Sequence, residues 1–159
     1  MSKSTLQRIR SLELFAGCRP AQLAKIDELG CWVRVGHGRV LCAEGAVGAE
    51  FFVLLEGLAE VHSSGGASAL LRSGAWFGEL ALLDGGYRRA TVTAVTDATV
   101  LVFDRREFTT LLSIAPEVRK RLLRASARML AGKNPTTQTW YEPTRACVAS
   151  TYHVGTVSQ

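Results

Sequence analysis

Between Ser4 and Leu29 the apolar positions fall three residues apart: Leu6, Ile9 and Leu12, then Leu23, Ile26 and Leu29. That spacing puts each set on one face of a helix. The first stripe predicts a helix over Ser4–Leu14, with Ser4 as its cap and Gln7 as the capping-box partner. The second predicts a helix over Pro20–Leu29, with Pro20 at the first helical position and Gly30 as its stop. From Cys31 the period changes. The segments 31–36, 39–43, 51–56, 58–63 and 67–72 are short, rich in Val, Leu and Phe, and punctuated by glycine. Thr91–Thr96 and Thr99–Asp104 add two strands joined by an Asp97-Ala98 turn. In the first of these Val92 and Ala94 take one side, and Thr91, Thr93 and Val95 the other. Many short strands with glycine turns predict an antiparallel sandwich or barrel. Helix then returns. Asp104 caps it, with Glu107 at the capping-box position and Phe108, Leu111 and Leu112 inside. Pro116 opens a longer helix to about Leu130, which Gly132, Asn134 and Pro135 end. The order is two helices, seven or eight strands with one interruption, and two helices.

Composition narrows the class. The chain has 159 residues, the size of one domain, and is 47% hydrophobic and 21% charged, enough to bury a core. The formal charge of +5 is mild and names no partner. Cys18, Cys31, Cys42 and Cys147 form no C-x-x-C pair, and His37, His62 and His153 are scattered. No metal set is expected; the cysteines sit beside apolar residues and read as buried or half-buried thiols. Met1–Arg10 is polar with no apolar run behind it, and no segment reaches the roughly 20 apolar residues of a membrane span. The expected setting is reducing and cytoplasmic. Residues 1–131 are expected to form the domain. The Thr-rich remainder, 132–159, is either a flexible tail or an extended segment lying on it.

The interruption is the stretch WFGELALLDGGYRRATVTA, from Trp76 to Ala94. Gly78 to Leu83 has the composition of a helical turn or two, opening on a glycine whose backbone can be approached closely. A helix N-terminus presents unpaired N–H donors and a partial positive charge. Arg88 and Arg89 follow the Asp84-Gly85-Gly86 turn. One arginine beside such a terminus makes a phosphate pocket. Glu79 would repel a phosphate, so it is better placed to accept from a hydroxyl beyond it. A ligand with both groups is a sugar phosphate or a nucleotide. Taken singly, Glu79 reads first as a first-turn acid and Arg88 as a surface partner of Asp84. Taken together, the residues favour a pocket.

FGELALLDGGYRRATVTA resembles the phosphate-binding cassette of the cyclic nucleotide-binding domain family, whose pattern is F-G-E-L-A-L, a short loop and R-x-A-T-V. His37–Leu41, Glu44-Gly45 and Gly48–Gly57 resemble its glycine-marked strands, and Val102–Phe108 its last strand and following helix. The resemblance runs from about Leu6 to Leu130. It implies a mainly β fold with flanking α-helices: an eight-stranded antiparallel jelly-roll-like barrel with the cyclic nucleotide inside. It implies that Glu79 accepts from the ribose 2′-hydroxyl and Arg88 neutralises the cyclic phosphate, and that the amides of Gly78, Leu80, Ala81 and Arg89 line phosphate and ribose. Arg89 departs from the family, where Ala, Thr or Ser is common. It reads as a side chain turned to solvent, since strand neighbours alternate, rather than as a second phosphate cation. Without a Thr there the cue for cyclic GMP is missing, and cyclic AMP is expected.

No catalytic constellation stands out, so binding is the expected activity, with no cofactor beyond the ligand. In the family, ligand capture moves the C-terminal helix. Here that helix, 116–130, has Val118, Leu122 and Met129 near one face and carries Arg119, Lys120, Arg121, Arg124 and Arg128. It is expected to meet a protein effector or a second copy; its basic residues read first as a solvated face. No helix-turn-helix pattern follows, so DNA is not an expected partner. The alternatives are an interaction protein that has lost the ligand and a shortened relative of a catabolite-activator-type regulator.

Overall fold

The computed structural model describes residues 3–66 and 68–130, and the side chains of 5–66 and 68–127. Helix α1 (Lys3–Arg10) and a 3-10 turn (Glu13–Phe15) precede α2 (Pro20–Leu29). Strands β1 (Cys31–Val35), β2 (Val40–Cys42), β3 (Glu50–Glu56), β4 (Ala59–His62), β5 (Ser68–Leu71) and β6 (Trp76–Phe77) follow. A short helix α3 (Glu79–Asp84) then leads to β7 (Thr91–Ala94), β8 (Ala98–Asp104), α4 (Arg105–Ile114) and α5 (Pro116–Leu130).

The strands form two four-stranded antiparallel sheets, ordered β1-β8-β3-β6 and β2-β7-β4-β5. The fold is mainly β with flanking helices. The expected barrel is corrected to two separate sheets: among the described residues no strand pairing closes a ring. The inner faces share one core, built from Val33, Phe52, Leu54, Val100 and Val102 of one sheet and Leu41, Val61, Val92 and Ala94 of the other. A second core lies on the opposite face of the first sheet. There Phe51, Val53, Leu55, Leu101 and Phe103 meet Ile9, Phe15, Leu23, Ile26, Phe108, Leu111, Val118 and Leu122 from the helical layer.

This layering explains two kinds of strand pattern. β4 has one dry face, and its burial alternates. β3 is covered on both faces and is buried from Glu50 through Leu55. Its apolar run has no period because neither side is polar. Burying one such side chain contributes roughly 1.5–3 kcal/mol.

The first predicted helix ends early. Leu12 takes an extended conformation (φ −81°, ψ 138°), and Leu14 and Phe15 reach the core through the 3-10 turn instead. Helix α1 already contains Ser4, which is therefore not its cap. Pro20–Leu29 is as expected. Asp104 caps α4: its Oδ1 accepts from Glu107 N at 2.7 Å, and Glu107 Oε2 accepts from Asp104 N at 2.7 Å. Ala98, expected in a turn, opens β8 opposite Val35. Cys42 is buried and Cys18 half-buried, but Cys31 is exposed, facing outward at the start of β1. Cys147, Met129, the Gly132–Pro135 helix end and the Thr-rich segment lie outside the described residues or side chains. No described helix is long and apolar enough to cross a membrane.

Candidate functional site

Gly78 joins β6 to α3 with φ +99°. A Cβ there would meet Glu50 O at 2.6 Å and Arg88 Nη1 at 2.8 Å, so only glycine fits both the backbone and the space. The chain then enters α3, whose first turn holds Glu79, Leu80 and Ala81, all buried. Leu82 packs into the helical core beside Val118 and Leu122, which anchors α3 to the layer that contains α5.

Arg88 is held by its backbone as well as its side chain. Its N–H donates to Ala46 O at 2.9 Å, its carbonyl accepts from Gly45 N at 2.8 Å, and Val47 bridges Tyr87. The loop between β2 and β3 thus runs along the segment before β7. Arg105 Nη2 ties the same loop to α4 through Gly48 O at 2.8 Å. In the bend before β7, Arg88 and Ala90 turn inward and Arg89 outward.

The Arg88 side chain is 1% exposed, although arginine is almost never fully buried without partners. Nη2 donates to Glu50 O at 3.0 Å and lies 3.9 Å from Glu50 Oε1. Nη1 donates to Cys42 Sγ at 3.0 Å. The guanidinium carbon sits 5.6 Å from the Phe52 ring centroid, and Phe52 stacks on Phe77 at 4.8 Å. Cys42, Glu50 and Phe52 were not legible as site residues. Cys42 carries no motif, and Glu50 is distinguished only as a polar residue opening an apolar run.

Glu79 is 3% exposed and its Oε2 has no hydrogen-bond partner. Burial pushes its carboxyl up to about 8, while its own backbone N–H and the Arg88 guanidinium pull the other way. A buried polar atom without a partner costs free energy comparable to a lost hydrogen bond. It is a place for a donor.

Arg89 is exposed and reaches Asp84 Oδ2 at 3.3 Å, while Asp84 Oδ1 accepts from Gly86 N at 2.7 Å. The surface partner of Asp84 is therefore Arg89, not Arg88. On α5, Val118 and Leu122 are buried, whereas Arg119, Lys120, Leu123 and Arg124 are exposed. Arg121 Nη1 donates to Leu14 O at 2.9 Å, so one of the basic residues ties α5 to the 3-10 turn.

Residues 32–114 match the model of the family described as "Cyclic nucleotide-binding domain". The chain is 34% identical over 112 residues to a cyclic nucleotide-gated potassium channel of Mesorhizobium japonicum, covering 70% of this chain and 31% of the channel. It is 32% identical over 127 residues to a cAMP-dependent protein kinase regulatory subunit of Aspergillus niger, covering 74% of this chain and 31% of that one. It thus spans about a third of the length of these relatives. The crystal structure of the Thermus thermophilus catabolite activator protein superposes with a TM-score of 0.67 at 28% identity, over 75% of this chain and 58% of that one. With the match to the family model covering more than half of its length, this chain belongs to the cyclic nucleotide-binding domain family.

Proposed function

We propose that this chain is a non-enzymatic sensor that binds cyclic AMP in preference to cyclic GMP. Arg88 neutralises the cyclic phosphate and Glu79 accepts from the ribose 2′-hydroxyl. The backbone amides of Gly78, Leu80, Ala81 and Arg89 line the site, and residues 1–131 form the sensing domain, wound as a jelly roll. The observation that carries this reading is one buried pair. Glu79, a buried carboxyl with a partnerless oxygen, directly follows Gly78, whose backbone lies against the buried Arg88 guanidinium. A phosphate bearing a nearby hydroxyl suits both. Support for cyclic AMP comes from the identity of residue 89, an Arg where a Thr would be the cue for cyclic GMP, and from the name of the kinase relative.

The signal leaves through α5 to a protein effector or a second copy. In support, Leu82 of α3 and Val118 and Leu122 of α5 share one core, so a shift of the cassette helix presses on α5. Calorimetric titration of the ligand-free full chain with cyclic AMP and cyclic GMP tests the proposal, with Arg88→Ala as control. Saturable binding that the variant loses, tighter for cyclic AMP, is expected. No binding by folded protein freed of carried-over nucleotide would reject it in favour of an interaction protein on the same fold.

A further inference from the structure

Cys42 is the last residue of β2, wholly buried in the core between the sheets. Its sulfur nevertheless meets a charged group, Arg88 Nη1, at 3.0 Å. Thiol sulfur is a weak acceptor, and burying it against a guanidinium has no packing rationale that Val or Ala would not serve as well. On the far side of the guanidinium, Glu50 O accepts from Nη2 at 3.0 Å. Phe52 lies 5.6 Å from its central carbon, and the Gly78 backbone closes against Nη1. Four residues from three parts of the chain therefore grip one planar cation. Glu79, whose Oε2 has no partner, directly follows Gly78 in the chain.

We infer that Cys42 is a positioning residue of the anion site: its sulfur and the Glu50 carbonyl together set the rotation of the Arg88 guanidinium. An arginine on a flexible stem loses rotamer freedom when it captures an anion. One already held at both nitrogens loses less, so the affinity gained is that of pre-organisation. Cys42 does not touch the ligand. It acts on the phosphate end alone, and so on every cyclic nucleotide alike. This rests on the reading of Arg88 as the cation for the phosphate.

The test uses the full chain with Cys42→Ala, which removes the acceptor, and Cys42→Ser, which restores one. Calorimetry with cyclic AMP and cyclic GMP is read beside the melting temperature. The Arg88 side-chain ¹⁵N–H signals of ligand-free protein, assigned by their loss in Arg88→Lys, report guanidinium rotation. Cys42→Ala is expected to weaken both nucleotides about tenfold, the size of one net hydrogen bond, with their ratio unchanged. Cys42→Ser should recover most of the loss, and the Arg88 signals should show hindered rotation in wild type and Ser but averaging in Ala. Where Ala fails to fold, Cys42→Val fills the site without an acceptor and takes its place. A folded variant without the acceptor that binds like wild type, or whose Arg88 signals are unchanged, overturns the inference. If wild type binds neither nucleotide but the restraint on Arg88 still depends on Cys42, the proposed function falls and the positioning role stands.

Discussion

Arg89 Nη2 lies 3.3 Å from Asp84 Oδ2 at the surface, and that ion pair turns Arg89 away from its buried neighbour, Arg88. Two arginines adjacent in sequence thus have opposite environments and, in consequence, opposite expected sensitivities.

Arg88→Ala should weaken cyclic nucleotide binding by about 2–5 kcal/mol, the cost of removing one partner of a desolvated ionic contact. Arg89→Ala should change stability by less than about 1 kcal/mol, because a solvent-screened pair contributes little. Its amide, the group proposed to line the site, survives the substitution. Titrating both variants with cyclic AMP decides; a loss at Arg89 comparable to that at Arg88 would make Arg89 a ligand contact.

The 2′-hydroxyl of the ligand should matter through Glu79. Wild type should bind 2′-deoxy cyclic AMP about tenfold or more weakly than cyclic AMP, because the analogue leaves Oε2 unpartnered. In Glu79→Ala the two ligands should bind alike. Competition assays with both nucleotides read the difference directly, and equal binding by wild type rules out the assigned role.

Glu79 also makes ligand-free stability depend on pH. Its carboxyl ionises near the ordinary 4.5 when unfolded and at about 8 in the fold. The folded state therefore holds the proton to higher pH. The stability this confers is fully present below the unfolded value and is lost as pH rises through the folded one. Glu79→Gln cannot ionise, so its melting temperature should gain on wild type from pH 4.5 to about 8 and then level off. A difference that stays flat across the window would mean that the carboxyl is not perturbed.

Gly78→Ala should be far more damaging than Gly85→Ala, although both glycines have positive φ. At Gly85 a methyl group meets nothing within 4 Å and carries only the left-handed backbone penalty, roughly 1–2 kcal/mol. At Gly78 it meets Glu50 O and the Arg88 guanidinium as well. Thermal melts and cyclic AMP titration of the two variants should separate them, with Gly78→Ala losing both stability and affinity. Equal behaviour would show that Arg88 and β3 yield at no cost.

The parts legible in the sequence were those with local causes. Pro20 and the Asp104–Glu107 box mark helix starts because their partners lie within one turn. The cassette stretch was readable because Gly78, Glu79 and Arg88 are close in sequence and rare in combination. What escaped was set by distance along the chain. The two-residue β6 exists because β3 offers it an edge, and two residues carry no period. Arg88 is buried because Cys42 and Glu50 arrive from other elements, and nothing near Cys42 in sequence announces a cation. Arg89 is exposed, as read, although its stretch bends before β7 begins, and it takes the Asp84 partner that had been weighed for Arg88.

From Glu50 to Leu55 strand β3 has no side that meets water, and its alternation divides the molecule's work residue by residue. Phe52 lies against the arginine in one core, while Phe51, one peptide bond away, packs 5.9 Å from Phe103 and 5.0 Å from Phe108 in the other. The backbone between them cannot move toward one without leaving a void at the other. The two halves should therefore melt as one cooperative unit, with the amides of β3 the last to exchange with deuterium.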